Sequence, residues 1–438
     1  MARITKISIE GLFGVFDYEI PLNQDDRITI LTGPNGFGKT TILQLIYTLV
    51  TDLQTLLDQA LDDSEGLSQF RKVTLFLEKG WRIEFTQDFF KKKTQNKSSD
   101  LYYWEGMKIA IYNSSSSFPS EYWVESETEF DGLVATPIFN PEENTEPEKI
   151  QDNKTDLIEQ VLYDLNVDLI ASERLMSITP STLKGYKITY DIQPKVKKYA
   201  TELTQHLESR VKQYAEISQR LDKTYPFRVM EKEAHDTIPG FYFVQELQTI
   251  RSLSRRLASV SVLDDTDNGE IERLEAALTR EHLDTATKNM LEVYISDSKD
   301  KYAVFTDTLQ KLELFQSILN RKLACSHKQI SFSRDEGFLI RYKQAGNDRY
   351  PSSPVPLTAL SSGEQHQLVL FYELLFVIEP GSLVLIDEPE ISLHLSWQVD
   401  FLEDLQEISR LADLDFLIAT HAPSIIEDRW DLVVELNG

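Results

Sequence analysis

The chain has 438 residues, 41% hydrophobic and 26% charged, which fits two or three globular domains and excludes wholesale disorder or a collagen-like repeat. No apolar run approaches the roughly 20 residues of a membrane span, the opening MARITKISIE lacks the core of a secretory signal, and the single Cys325 excludes an internal disulfide, so a cytoplasmic protein with no membrane partner is expected. With 45 basic and 71 acidic side chains the net charge is −26, which repels a polyanion unless cations gather locally.

Ile4, Ile7 and Ile9 begin a strand, and Arg27 to Leu31 reads as a buried strand running into a glycine-rich turn. Gly33-Pro34-Asn35-Gly36-Phe37-Gly38-Lys39-Thr40 then fits G-x-x-x-x-G-K-[ST] between that strand and a helix expected over about Thr40 to Leu57. This is the context of a phosphate-binding loop. Glycines let N–H groups turn toward phosphate oxygens, Lys39 neutralises β/γ charge and the Thr40 hydroxyl suits Mg²⁺, with Thr41 beside it in the nucleotide-binding set. Lys72 to Leu77 and Trp81 to Phe85 flank Lys79-Gly80 as a hairpin, and Met107 to Tyr112 is a further strand. The tracts Ser114–Ser117 and Asn140–Pro147 read as loops.

Charge is unevenly spread. Glu121 to Glu173 holds 15 acidic and 2 basic residues, and Asp387 to Gly438 holds 13 and 2. Between Lys184 and Lys232, 11 Lys or Arg face 6 Asp or Glu, so a DNA contact would be sought there first and at Lys91, Lys92 and Lys93 next; solvated helix faces are the plainer reading. From about Gln193 to Leu323 apolar residues recur every three or four positions, as in Val196, Leu203, Leu207, Val211, Tyr214, Ile217 and Leu221. A helical insert follows from this, either an antiparallel arm or helices packed on the globular body. Strand-like sequence resumes at Ile330 to Tyr342, and the last hundred residues alternate apolar runs with helices as a mostly parallel sheet demands.

Leu383 to Ile386 is an apolar strand ending in Asp387 and Glu388, the arrangement of a Walker B segment: Asp387 to hold Mg²⁺, Glu388 to act as general base on the attacking water. Leu360-Ser361-Ser362-Gly363-Glu364-Gln365 stands about twenty residues before it. That stretch resembles the LSGGQ signature of ABC-class ATPases, as varied in the SMC, RecF and OLD-like branch. The resemblance implies that Ser361 and Gly363, with Ser362 and Glu364 in the same set, meet the γ-phosphate held by an opposite protomer. A simple helix cap, Ser361 or Ser362 answered by Glu364 or Gln365, is the local alternative. Pro389 to His394 resembles the family's D-loop, with His394 equally at home as a surface or packing residue, and Leu417 to Thr420 leads into His421, matching the switch histidine that senses the γ-phosphate. Asp168 to Leu175 sits where the branch carries its Q-loop, which puts Glu173 in place of the usual metal-binding glutamine, or in a salt bridge near Arg174.

The resemblance implies an α/β fold: an ABC-type ATPase head with a β-rich lobe and a parallel-sheet lobe, interrupted by a helical, partly coiled-coil insert. Its expected domains are 1–182 with the phosphate loop, 183–325 as the insert, and 326–438 with signature, Walker B and switch histidine. It further implies ATP and Mg²⁺ as cofactors and a homodimer or higher homo-oligomer with composite sites, catalysis resting on Lys39, Glu388 and His421. The compact size, the ISIEGLFGVFDYEIPL opening, the stretch from Leu360 and Thr420-His421-Ala-Pro-Ser-Ile-Ile resemble the stand-alone ATPases of anti-phage systems such as PARIS or Septu. Such a protein would hold a separate effector nuclease or toxin and answer a phage protein. No nuclease domain is expected in the chain. The alternative is a RecF-like or SMC-like DNA-repair ATPase using the basic segment; a transporter subunit fits the long insert poorly.

Overall fold

The computed structural model describes residues 3–51, 53, 70–92, 102–113, 120–127, 132–137, 162, 165–171, 175–184, 187–232, 239–264, 268–278, 283–343 and 353–437. The loops expected at Ser114–Ser117 and Asn140–Pro147, the end of the first expected helix past residue 53, Lys93 and Glu173 lie outside the described residues. The chain forms two compact units, Met1–Glu173 with Val377–Gly438, and Arg174–Phe376.

The first unit is α/β. Its apolar runs β3 (Ile28–Thr32), β9 (Val167–Ile170), β14 (Leu383–Asp387), β15 (Asp415–Ala419) and β16 (Val433–Glu435) pair parallel in the order β16-β3-β15-β14-β9. Ile28, Ile30, Leu31, Leu385, Ile386, Leu417 and Ile418 are fully buried, as strands covered on both faces require. A second, antiparallel sheet runs β2-β1-β4-β5-β6-β7-β8. It consists of β1 (Ile4–Leu12), β2 (Phe16–Pro21), β4 (Lys72–Leu77), β5 (Arg82–Lys92), β6 (Tyr102–Tyr112), β7 (Ser120–Glu127) and β8 (Gly132–Pro137). The expected hairpin is present: β4 and β5 pair across a turn in which Lys79 and Gly80 both take positive φ. Helix α1 (Lys39–Thr51) buries Ile42, Leu43, Leu45, Ile46 and Leu49 in one core with Ile7, Ile9, Leu75 and Phe85 of the antiparallel sheet and Leu385 and Leu417 of the parallel one.

Parallel strands in one sheet put all their C-terminal ends on one edge. The opposite edge is closed by charge. Arg3 donates to Asp415 at 3.2 Å and to Asp413 at 2.5 Å, and Arg27 donates to the same two carboxylates at 2.7 and 2.9 Å.

The second unit carries the helical segment. Helix α2 (Lys195–Glu231) has 37 residues, roughly 55 Å at the usual rise. The two halves of this helix differ in burial. Its first half buries Val196, Leu203 and Leu207; farther along, Val211, Tyr214, Ile217 and Leu221 are only half-buried. There α5 (Thr285–Ala303) runs antiparallel to it, with Tyr214 stacked on Tyr302, Lys301 paired to Asp222 at 2.9 Å, Arg228 to Asp297 at 2.7 Å and Lys232 to Glu292 at 2.8 Å. Helices α3 (Gly240–Ser259) and α4 (Asn268–Leu278) pack together through Arg251 and Glu275, and α6 (Thr306–Leu323) buries Leu309, Leu312, Phe315 and Leu319.

The expected cut at 182/183 falls inside the antiparallel hairpin β10 (Met176–Lys184) and β11 (Lys187–Pro194), where Thr182 pairs with Thr189 and Leu183 with Ile188. The cut at 325/326 would sever α6 from the hairpin β12 (Lys328–Ser333) and β13 (Gly337–Tyr342), although Phe315 lies 6.2 Å from Phe332 and 5.6 Å from Phe338. Gly337 is fixed by φ 71 and by the Ala200 carbonyl, against which any Cβ would clash. Helix α7 (Ser362–Tyr372), expected in the C-terminal lobe, shares this core through Tyr372, 5.5 Å from Phe338, and runs on into a π-helical turn whose Glu373 accepts from Lys195 and Tyr199.

Candidate functional site

At the C-terminal edge of the parallel sheet a cleft of about 320 Å³ is lined by Phe13, Asn35, Gly36, Gly38, Lys39, Thr40, Thr41, Glu388 and His421. Three strand ends meet there. The loop after β3 brings the glycines and Lys39, β14 ends on Asp387 and Glu388, and β15, lying between those two strands, leads into Thr420 and His421. The loop cannot do without its glycines. Gly38 has φ 82, and a Cβ there would meet Leu12 at 2.8 Å and Phe13 at 3.0 Å.

Lys39 is 5% exposed and its hydrogen bonds run to two neutral carbonyls, those of Gly33 at 2.8 Å and Pro34 at 3.2 Å. Burial lowers its pKa, while Glu388, Asp387 and Glu390 oppose that shift. A buried ammonium held only by carbonyls at a cleft is prepared for an anion. The Thr40 hydroxyl donates to Asp387 Oδ1 at 3.0 Å. Burial pushes the Asp387 carboxyl up, a shift that Thr40 and Lys39 partly offset and the neighbouring acids reinforce.

No cluster of three or more His, Cys, Asp or Glu among the described residues could hold a metal alone. Thr40 and Asp387 nevertheless form a hard-oxygen pair, the donor type Mg²⁺ accepts when phosphate and water supply the rest of its shell. The residues present therefore fit that ion together with a nucleotide.

Glu388 takes a left-handed conformation, φ 42 and ψ 57, immediately before Pro389, and its amide donates to Ala419 O at 2.9 Å. Its Oε1 stands 4.0 Å from His421 Nε2. Backbone strain of this kind persists where surrounding bonds over-determine it.

Two of the expected nucleotide-binding residues have side chains engaged elsewhere. Phe37 does not line the cleft: its ring lies 5.2 Å from that of Phe16 and its carbonyl accepts from Tyr18, so packing against the core turns it away. Glu364 is 4% exposed, with its carboxylate taken by Lys328 at 2.8 and 2.9 Å, Ser326 at 2.8 Å and the Ser361 amide at 2.9 Å. Burial alone would raise its pKa, but those donors hold it below the ordinary value. Gly33 and Pro34 serve through the carbonyls that grip Lys39.

Ser361, Ser362 and Gly363 stand at the start of α7 in the second unit. The local capping reading is seen directly: Ser361 Oγ accepts from the Glu364 amide at 3.3 Å while Glu364 answers the Ser361 amide, a capping box. Both serines are exposed. His394 likewise caps a short helix, α8 (Leu395–Val399), through the Ser396 amide. Two residues that sequence reasoning passed over join the site. Phe13 lines the cleft from the turn after β1, and Glu390 accepts from the Thr420 hydroxyl and the His421 amide, each at 2.8 Å. The D-loop resemblance had covered Glu390 without giving it a role of its own.

A family model described as AAA ATPase domain matches residues 3–426. No curated protein matches the chain in sequence. Among solved structures, the chain is similar to the Smc head domain with an extended coiled coil from Pyrococcus furiosus, bound to the C-terminal domain of ScpA, at 13% identity over 99% of this chain and 93% of that one, with a TM-score of 0.37. It is similar also to the SMC head domain from Thermotoga maritima, at 10% identity over 99% and 94%, with a TM-score of 0.35. No helix among the described residues is long and apolar enough to cross a membrane.

Proposed function

Because the chain belongs to the AAA ATPase domain family and is an ATPase, we propose that it works as an ABC-type machine whose ATP is gripped between copies of itself. The observation that carries this reading is the buried Lys39 ammonium, bonded to neutral carbonyls in a cleft that Glu388 and His421 also line. Lys39 meets the β- and γ-phosphates, with the amides of Asn35, Gly36 and Gly38 turned to their oxygens. Thr40 and Asp387 would hold Mg²⁺, which would neutralise phosphate charge. Glu388 takes the proton of the attacking water and His421 donates toward the γ-phosphate. Ser361, Ser362 and Gly363 of one copy close the site of another, in a homodimer or larger homo-oligomer.

Exposed apolar side chains just after the Walker B acids support assembly: Ile391, Leu395 and Val399 are 65%, 66% and 43% exposed. The finer reading, a sensor and scaffold subunit of an anti-phage complex that restrains a separate nuclease or toxin until a phage protein is met, rests on the resemblance of the opening and of the stretch from Leu360. It is favoured over DNA repair on that resemblance; in the basic segment Lys195, Lys198, Arg228 and Lys232 are paired with Glu373, Glu202, Asp297 and Glu292.

Glu388→Gln is expected to bind ATP yet lower turnover by about 100-fold or more and to accumulate an ATP-dependent oligomer, read by light scattering after gel filtration. Hydrolysis at the parental rate would overturn the general-base role. Purification from the native host, with and without DNase, tests the finer reading: a stoichiometric nuclease or toxin that survives DNase is expected, and retention on DNA alone would favour repair.

A further inference from the structure

We propose that Glu390 is a positioning residue for His421, holding the backbone on either side of the histidine so that its ring stays at the cleft. The inference rests on the ATPase reading above and adds a coupling to it.

Both oxygens of Glu390 are committed. Oε2 accepts from the Thr420 hydroxyl and Oε1 from the His421 amide, each at 2.8 Å. Thr420 is fully buried, and its Oγ1 accepts in turn from the Ala422 amide at 3.0 Å. One carboxylate thus fixes the backbone on either side of His421, whose ring points to the cleft. A second stitch lies a turn away: Ser424 donates to Gln398 Oε1 at 2.5 Å, while Gln398 Nε2 donates to Leu393 O at 3.2 Å. The stretch after β14 and the segment bearing His421 are thus joined by two sets of hydrogen bonds.

Charge makes the choice of a carboxylate informative. Glu390 adds a third negative group to the stretch that holds Asp387 and Glu388. A glutamine would avoid that repulsion, but its amide has one acceptor oxygen for two donors and would set its own N–H groups against one of them. With both oxygens occupied and the residue absent from the cleft lining, Glu390 is not placed to hold metal or phosphate.

The test uses the full chain and Mg-ATP. Glu390→Gln is expected to lower kcat by about 10- to 100-fold while the affinity for a fluorescent ATP analogue stays within about 2-fold. The double variant with His421→Ala is expected to be no slower than His421→Ala alone, because a residue acting through another loses its effect when the other is gone. Losses that multiply independently overturn the coupling and leave the ATPase reading intact. A His421→Ala variant with parental kcat instead overturns the role of His421 and the coupling with it. Should Glu390→Gln lose nucleotide binding through misfolding, Thr420→Val removes one of the two donors and keeps the acid. Its smaller fall in kcat is expected to vanish on the His421→Ala background, and its persistence there overturns the proposal.

Discussion

The sheet edge that carries Lys39 and the helix tip that carries Ser361 are built from similar parts, polar residues and glycines at a helix start, yet they differ in how much of their polar chemistry is already satisfied. At the edge, Lys39 rests on two neutral carbonyls, Asp387 is pushed up by burial, and Glu388 and His421 face an open cleft. At the tip, Ser361 and Glu364 answer each other and Lys328 neutralises the carboxylate. The first is a site waiting for a charged ligand. The second is a finished structural cap that has only its outward serines and glycine amide to offer, which suits a half-site completed elsewhere.

The largest expected effect lies at the edge. Lys39→Ala should weaken ATP binding by about 100-fold with little change in melting temperature, measured by calorimetry and thermal unfolding; equal affinity in the variant would mean that Lys39 is a structural cation and would erase the contrast. At the tip the order should reverse. Glu364→Gln leaves the half-buried Lys328 without its counter-charge and should cost about 3 kcal/mol of stability, seen in denaturant unfolding, with any loss of activity following from that.

This second effect has a pH signature. Glu364 has a folded pKa below its ordinary 4.5, so its stabilisation is fully present above that value and disappears as the pH falls through the folded one. The parent and Glu364→Gln should therefore converge in stability in acid, and a gap that widens there would contradict the assignment. The smallest effect sharpens the contrast: Ser361→Ala removes a cap worth about 1 kcal/mol, but ATP-dependent oligomerisation by light scattering should fall further than that loss explains.

Chain-local chemistry was legible in the sequence. The phosphate loop is contiguous and bounded by a buried strand and a helix, and the apolar runs ending in Asp387 and before His421 announce strands of a parallel sheet. What could not be read depends on distant partners. Glu364 looks like a signature residue until Lys328 and Ser326 are seen around it. Glu390 gains its meaning from Thr420 and His421, about thirty residues away. Periodicity likewise tells that a helix has an apolar face, but not which core receives it, and so α7 belongs with Phe315 and Phe338 in the second unit. The expected limit at 182/183 runs through the hairpin β10–β11, although Gly185 stands between its two strands in the sequence.

The left-handed backbone at Glu388, pressed against a following proline, narrows what evolution or an engineer can place there before any question of chemistry arises. Valine, isoleucine and threonine are barred by their branching at Cβ, whereas aspartate, asparagine and glycine tolerate the turn. Libraries at this position will sample reactivity along a short ladder of shapes, and a shorter acid that keeps the bend will draw its charge back toward the strand, trading reach for the same geometry.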